Sequence, residues 1–322
     1  MRRTNLTGPE GAWTGLLIEV TGRPRPSLCL HTAGEGRLLL GQAGVPLLLA
    51  AVSPGLHGVD FRRLDTFRPP VPPVRADLAR RHRGVAERWA HHFAAALSDG
   101  ANGPLHDGRW ILSAHTPLLR SWNRHGAGPA EYWGEALVQG HPDGDIDWWF
   151  PHAAPWPVCP LRPMPGPDDA RVKAYRKQAR EGTLPPVLLW WVTGLQSLVP
   201  LDGHARLAAA LAEDIEPPLL VLHRAAPPDE LASGTHEAAT AYETELARWA
   251  ELRATHGPRI PDGTEQAGHA LARRLTELHT GHRPTWAWPL PGGSAAWERI
   301  AAEHAPHLLR GPRGSCGTPP AG

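Results

Sequence analysis

The stretch Glu181-Gly182-Thr183-Leu184-Pro185-Pro186-Val187-Leu188-Leu189-Trp190-Trp191-Val192 decides the fold, together with Leu201-Asp202-Gly203-His204-Ala205-Arg206-Leu207-Ala208-Ala209-Ala210-Leu211 just after it. Val187 to Val192 is a short, unbroken apolar run rich in β-branched and aromatic residues, which reads as a strand. The Thr193-Gly194-Leu195-Gln196 turn returns the chain into Ser197 to Leu201, so the two runs form a β-hairpin. The alanines and leucines that follow favour a helix, and Gly203 before them lets the backbone approach a ligand closely. Upstream, Asp168 to Arg180 forms a helix that stops at Gly182. Downstream, Glu216-Pro217-Pro218 breaks the chain before a last strand, Leu219 to Leu222. The order is helix, strand, strand, helix, strand, which places the chain in the α+β class. Strand alternation sends Trp190 and Trp191 to opposite faces of the sheet.

Moving outward, residues 14–53 carry short apolar groups separated by Gly, Pro, Thr and Ser, the pattern of a β-rich unit. After Pro69, Pro70, Pro72 and Pro73, one helix is predicted over 76–97, with Leu78, Val85, Trp89, Phe93 and Leu97 on its apolar stripe. A strand over 109–113 and a helix over 130–138 precede a loop from His141 to Pro157. Helices over 236–255, 264–280 and 294–305 follow the central segment. The resulting organisation is a β-rich region at 1–68, a helical and linker region at 69–156, the central domain at 157–226, a helical region at 227–310 and a disordered tail at 311–322.

The run from Glu181 to Leu189 resembles the "Gly-x-leu-x-Pro-ile-val-val" box of the ParB/sulfiredoxin superfamily, in the sense of its ParB-like N-terminal or nuclease-type domain. Leu201 to Ala209 resembles its second box, a strand-turn-helix with Gly-x-x-Arg followed by small residues. The resemblance is confined to residues of about 157–224. It implies a ParB/sulfiredoxin-like domain with a nucleotide or phosphate pocket formed by Gly182, Thr183, Gly203, His204 and Arg206. It also implies Asp202 and His204 as candidate catalytic groups, with a nucleotide and Mg as the ligand and phosphoryl transfer or nucleotide hydrolysis as the chemistry. Sulfiredoxins have a cysteine where this chain has His204, so thiol-based sulfinate repair is not expected. The free-serine kinases of the superfamily carry Asp-Gly-His-His-Arg, matched here except at Ala205. Chromosome-partitioning members show Gly-Glu-Arg-Arg, of which only Arg206 is kept.

Each of these residues has a second reading. Asp202 is either a Mg ligand or general base, or only the N-cap of the following helix, where asparagine would serve as well and the catalytic group would be His204 or Glu181. Arg206 contacts a phosphate or pairs with a carboxylate, and His204 donates to a phosphate or faces solvent. The face of Lys173, Arg176, Lys177 and Arg180 is a solvated helix face or a binding patch. The 14 tryptophans are packing residues or stacking platforms for a base.

A net charge of +1 over 322 residues argues against bulk electrostatic coating of DNA, so any DNA binding is expected to be weak and salt-sensitive. The partner expected is a nucleotide ligand. The 3 cysteines are widely spaced without a CxxC pair and no apolar leader is read at the start, which predicts a reduced, cytoplasmic setting. The uncharged run 38–59 contains Gly, Pro, Gln42 and His57 and is not read as a membrane span. The 19 histidines show no structural-metal spacing. A partition-like or regulatory DNA-associated protein, reading DNA with the helix after Pro228, and a non-catalytic interaction platform are the rival functions.

Overall fold

A computed structural model describes residues 1–8, 11–52, 57–99, 102–114, 128–148, 157–257 and 259–309. The expected tail at 311–322, Trp149 and Cys316 lie outside them. The chain is α+β and divides into two units: residues 1–222 with 284–322, and residues 223–283.

The first unit is built on two six-stranded sheets. Its strands are β1 (Arg2–Thr7), β2 (Trp13–Val20), β3 (Leu28–Thr32), β4 (Arg37–Gln42), β5 (Val45–Val52), β6 (Gly58–Arg63), β7 (Gly108–Ser113), β8 (Asp143–Asp147), β9 (Val187–Val192), β10 (Ser197–Asp202), β11 (Leu219–Arg224) and β12 (Ala287–Pro289). One sheet runs β1-β2-β7-β11-β9-β10 and the other β12-β3-β4-β5-β6-β8. The hairpin read from the sequence is present, with β9 and β10 antiparallel and Trp190 opposite Val199. β11 runs parallel to β9, so the helix between them is a crossover.

The boundaries expected at residues 68 and 156 do not separate sheets. β1 and β2, from the expected N-terminal unit, pair through β7 with the strands of the central segment. Short apolar runs say that a strand is buried without saying which strand lies beside it. The helix predicted over 76–97 is two, α1 (Ala76–Arg81) and α2 (Ala86–Asp99). Between them Gly84 takes a φ of +66°, a conformation that ends the helix although the apolar periodicity continues through it. The remaining helices of this unit are α3 (Pro129–Ala136), α4 (Ala170–Arg180), α5 (His204–Ala212) and α8 (Gly293–His304).

The inner faces of both sheets and α2 share one core, including Leu16, Leu40, Phe61, Phe93, Trp110 and Trp190. On the other face of the first sheet, Trp191, Leu189 and Val221 pack with Trp133 of α3 and Leu207 of α5. The two adjacent tryptophans therefore enter different cores, as alternation requires. The outer face of the second sheet packs Leu39 and Leu49 against Trp297 and Ala301 of α8. β9 is buried along its whole length, which explains why its sequence shows no polar alternation.

The second unit is a helical hairpin of α6 (Pro228–His256) and α7 (Thr264–Thr280). Arg283 binds Glu230 at 2.8 Å at its base.

Candidate functional site

The turn between β10 and α5 is held by its own charged residues. Gly203 has a φ of +102°, and a Cβ there would lie 2.9 Å from Arg206 Nη2 and 3.1 Å from Val187 Cα. Only glycine meets both the backbone geometry and the close approach. Arg206 folds back over it, donating from Nη2 to Asp202 Oδ2 at 2.7 Å and to the Pro186 carbonyl at 2.9 Å. The Arg206 side chain is 3% exposed and that of Asp202 13%. One guanidinium thus ties the entry to β9, the end of β10 and the first turn of α5 together.

This geometry corrects the N-cap reading of Asp202. Gly203 occupies the N-cap of α5 and no side chain caps that end; the Asp202 carboxylate is committed to Arg206 instead. It also corrects the reading of Arg206 as an open phosphate contact, because its Nη2 is buried and already bonded twice.

His204 is fully buried, and neither ring nitrogen has a hydrogen-bond partner. Burial lowers its pKa to about 3, with Arg162 and Arg206 adding to the effect. The ring is therefore neutral at physiological pH and brings no positive charge to a phosphate. Neither sequence reading of His204, as phosphate donor or as solvent-facing residue, matches a side chain packed within ring contact of Phe67, their centroids 6.2 Å apart.

Gly182 and Thr183 are used locally. Gly182 N–H bonds Ala179 O at 3.0 Å and Thr183 N–H bonds Gln178 O at 2.9 Å, with Gly182 at a φ of +64°. These paired bonds are the Schellman closure of α4, so both amide donors predicted for a phosphate satisfy carbonyls of the preceding helix. The cationic face of α4 is likewise occupied. Arg176 and Arg180 both bind Glu213 Oε1, at 2.5 and 2.6 Å, while Lys173 sits 3.0 Å from Asp168 and Lys177 3.8 Å from Glu181. The two arginines, Arg180 first, hold the Glu213 carboxyl below its usual range.

What remains for a ligand came from residues that the motifs do not contain. The first intrahelical bond of α5 runs from Leu207 N–H to Gly203 O, so the N–H groups of His204, Ala205 and Arg206 have no carbonyl within the helix. Arg162, half-buried, feels both Asp202 and Arg171, and among the described residues no carboxylate forms an ion pair with it. Burial pulls its pKa down, Asp202 works against that, and Arg171 adds to it. His92 of α2 faces the same charges: burial lowers its pKa first, then His82, with Asp202 opposing and Arg206 adding. His82, Trp89 and His92 form one edge-to-face cluster there, with centroids 5.1 to 6.3 Å apart. Arg162 lies in a proline-rich loop without a motif and His92 on a helix some 110 residues before the turn, so only the folded sheet brings them together. The one available signal was that Trp89 and His92 stand three apart on a helix and so share a face.

The cluster holds two guanidiniums, Arg162 and Arg206, against the single carboxylate of Asp202. This balance, added to the N-terminus of α5 that no side chain caps, fits an anion. It does not fit Mg held by Asp202, because that carboxylate is bonded by Arg206 and also interacts with the Arg162 charge. Among the described residues no group of three His, Cys, Asp or Glu side chains is arranged to hold a metal ion. Comparison with known protein families, characterised proteins and solved structures finds no match to this chain.

Proposed function

We propose that this protein binds a phosphate-bearing small molecule, of which a nucleotide is the leading class, at the N-terminus of α5, with Arg162 as the cation that meets the ligand. The observation that carries this reading is the half-buried Arg162 guanidinium, without a carboxylate ion pair among the described residues, beside a helix start whose other charges neutralise each other. Asp202 and Arg206 then act as positioning residues that set the turn, and His204 is a core residue beneath it. The arrangement supports binding more directly than phosphoryl transfer, since its one carboxylate, Asp202, is bonded to Arg206 and the His204 ring is buried.

DNA is a poorer fit. α6, the helix that would read it, carries the carboxylates Asp229, Glu230, Glu237, Glu243, Glu245 and Glu251 against only Arg248 and Arg253, and the basic face of α4 already pairs with carboxylates. Both repel or fail to neutralise a polyphosphate backbone.

In a thermal-shift and calorimetric series with inorganic phosphate and nucleoside di- and triphosphates, a ligand at a hundred times its dissociation constant should stabilise the protein by about 2.7 kcal/mol. Arg162→Ala should leave the unliganded stability near wild type while weakening binding by about 1.5–3 kcal/mol, roughly 10- to 100-fold. No shift with any of these ligands at millimolar concentration, or full binding by Arg162→Ala, would overturn the reading and favour the interaction platform.

A further inference from the structure

The outer face of the second sheet carries a separate constellation that the α5 site does not use. Cys29 and His31 stand two apart on β3 and so project to the same side. Cys29 Sγ lies 3.5 Å from His31 Nε2, and Arg25 Nη2 lies 2.7 Å from the same nitrogen. A guanidinium has only donors, so Nε2 is the acceptor of that bond and the ring proton sits on Nδ1. The backbone of Leu39 bonds the ring as well. Directly across the ladder from Cys29 is Gly41, which has no side chain to cover the thiol.

These groups floor a cavity of about 560 Å³, within the size range of small-molecule sites. Arg25, Ser27, Cys29 and His31 form its polar end, and Leu290 and Ile300 are among its apolar walls. Val45, also in the lining, keeps 47% of its surface exposed, an uncovered apolar area at the site. No Asp or Glu lines the cavity among the described residues, and Arg25 forms no ion pair with a carboxylate there. Its polar partners there are the neutral His31 ring and the Cys29 thiol, which leaves the guanidinium without a counterion among the described residues.

The geometry points to a binding site for a small organic carboxylate with an apolar tail, its charged end on Arg25 and its carbon chain toward Leu290 and Ile300, with the Cys29 thiol beside it. Arg25 bonds both the His31 ring and the Cys29 thiol, so a carboxylate seated on this guanidinium is held next to the sulfur.

Iodoacetate and iodoacetamide test this on the intact chain, since both form an S–C bond and release iodide but only the first carries a carboxylate. In free solution the neutral amide is the faster reagent toward thiolates. At Cys29, followed by peptide mass spectrometry so that Cys159 and Cys316 are scored separately, iodoacetate should be faster by about tenfold or more, with a rate that saturates. Arg25→Ala, a change at an exposed side chain, should return the preference to iodoacetamide, the ratio of the two rates being the quantity compared. Hexanoate should protect Cys29 from iodoacetate at lower concentration than acetate does. A wild-type preference for iodoacetamide, a preference unaltered in Arg25→Ala, or a Cys29 inert to both reagents in the folded protein would overturn the site. Equal potency of the two acids would overturn the apolar tail and with it the assigned ligand class.

Discussion

Arg206→Ala should lower the unfolding free energy by about 3 kcal/mol, because it takes from the Asp202 carboxylate, only 13% exposed, the guanidinium hydrogen-bonded to it. The residual exposure puts the loss at the lower end of the range for broken buried pairs, and the Pro186 carbonyl loses a donor as well. Asp202→Asn should destabilise for the complementary reason, since a neutral amide leaves the Arg206 cation, 3% exposed, uncompensated. An N-cap would behave differently, with asparagine serving nearly as well as aspartate. The double variant Asp202→Asn/Arg206→Met should recover part of the loss, because neither charge is then buried alone. Urea unfolding at pH 7.5 measures all three. Wild-type stability for Asp202→Asn, or strictly additive losses in the double variant, would show that the pair does not hold the turn. Arg162→Ala serves as the contrast: it removes a guanidinium of the same cluster that holds no carboxylate, so its effect belongs to ligand binding and not to the unliganded fold.

The local structure of residues 168–222 was legible because each signal there is short-range. Gly182 ends α4, the Thr193 to Gln196 turn closes the hairpin, and the alanine run makes α5, all within a few residues of the pattern that predicts them. The sheet around them was not legible. Nothing in Leu16 to Val20 says that β2 lies beside β7 and so in the same sheet as β9, since an apolar strand fits either sheet until register and neighbours are fixed. The site was misread for a related reason. Gly182, Thr183 and Arg206 have the chemistry to bind a phosphate, but their donors also satisfy nearby carbonyls and the Asp202 carboxylate, and a local partner at 2.7–2.9 Å takes precedence. The residue left over, Arg162, belongs to no motif. Cys29 and His31 did leave a trace, a two-residue spacing on a predicted strand that places both on one face, which counting cysteines for CxxC spacing does not detect.

Acid should destabilise the protein steeply, well above the pH at which carboxylates protonate. His204 and His223 are both buried and neutral, with pKa values lowered from 6.5 to about 3 and about 4, burial being the leading cause in each. At His223 a bond to the Arg224 carbonyl works against burial and His282 adds to it. In the unfolded chain both rings take up a proton near pH 6.5, while in the folded chain they do so only far below. The unfolded state therefore binds more protons between these limits, and stability, complete above about pH 6.5, is lost as the pH falls through the window. Each ring contributes a slope of about 1.4 kcal/mol per pH unit, so the two together remove roughly 5 kcal/mol by pH 4.5. His204→Leu should reduce the slope by one proton's worth. It should be near neutral in stability at pH 7.5, because the two unpartnered ring nitrogens it removes are themselves unfavourable in the core. Equilibrium unfolding from pH 7.5 to 4.5 gives the slope directly. A wild-type stability that is flat across that range, or an undiminished slope in His204→Leu, would mean that His204 protonates in place, that water reaches it, and that the ring belongs to the open part of the α5 site after all.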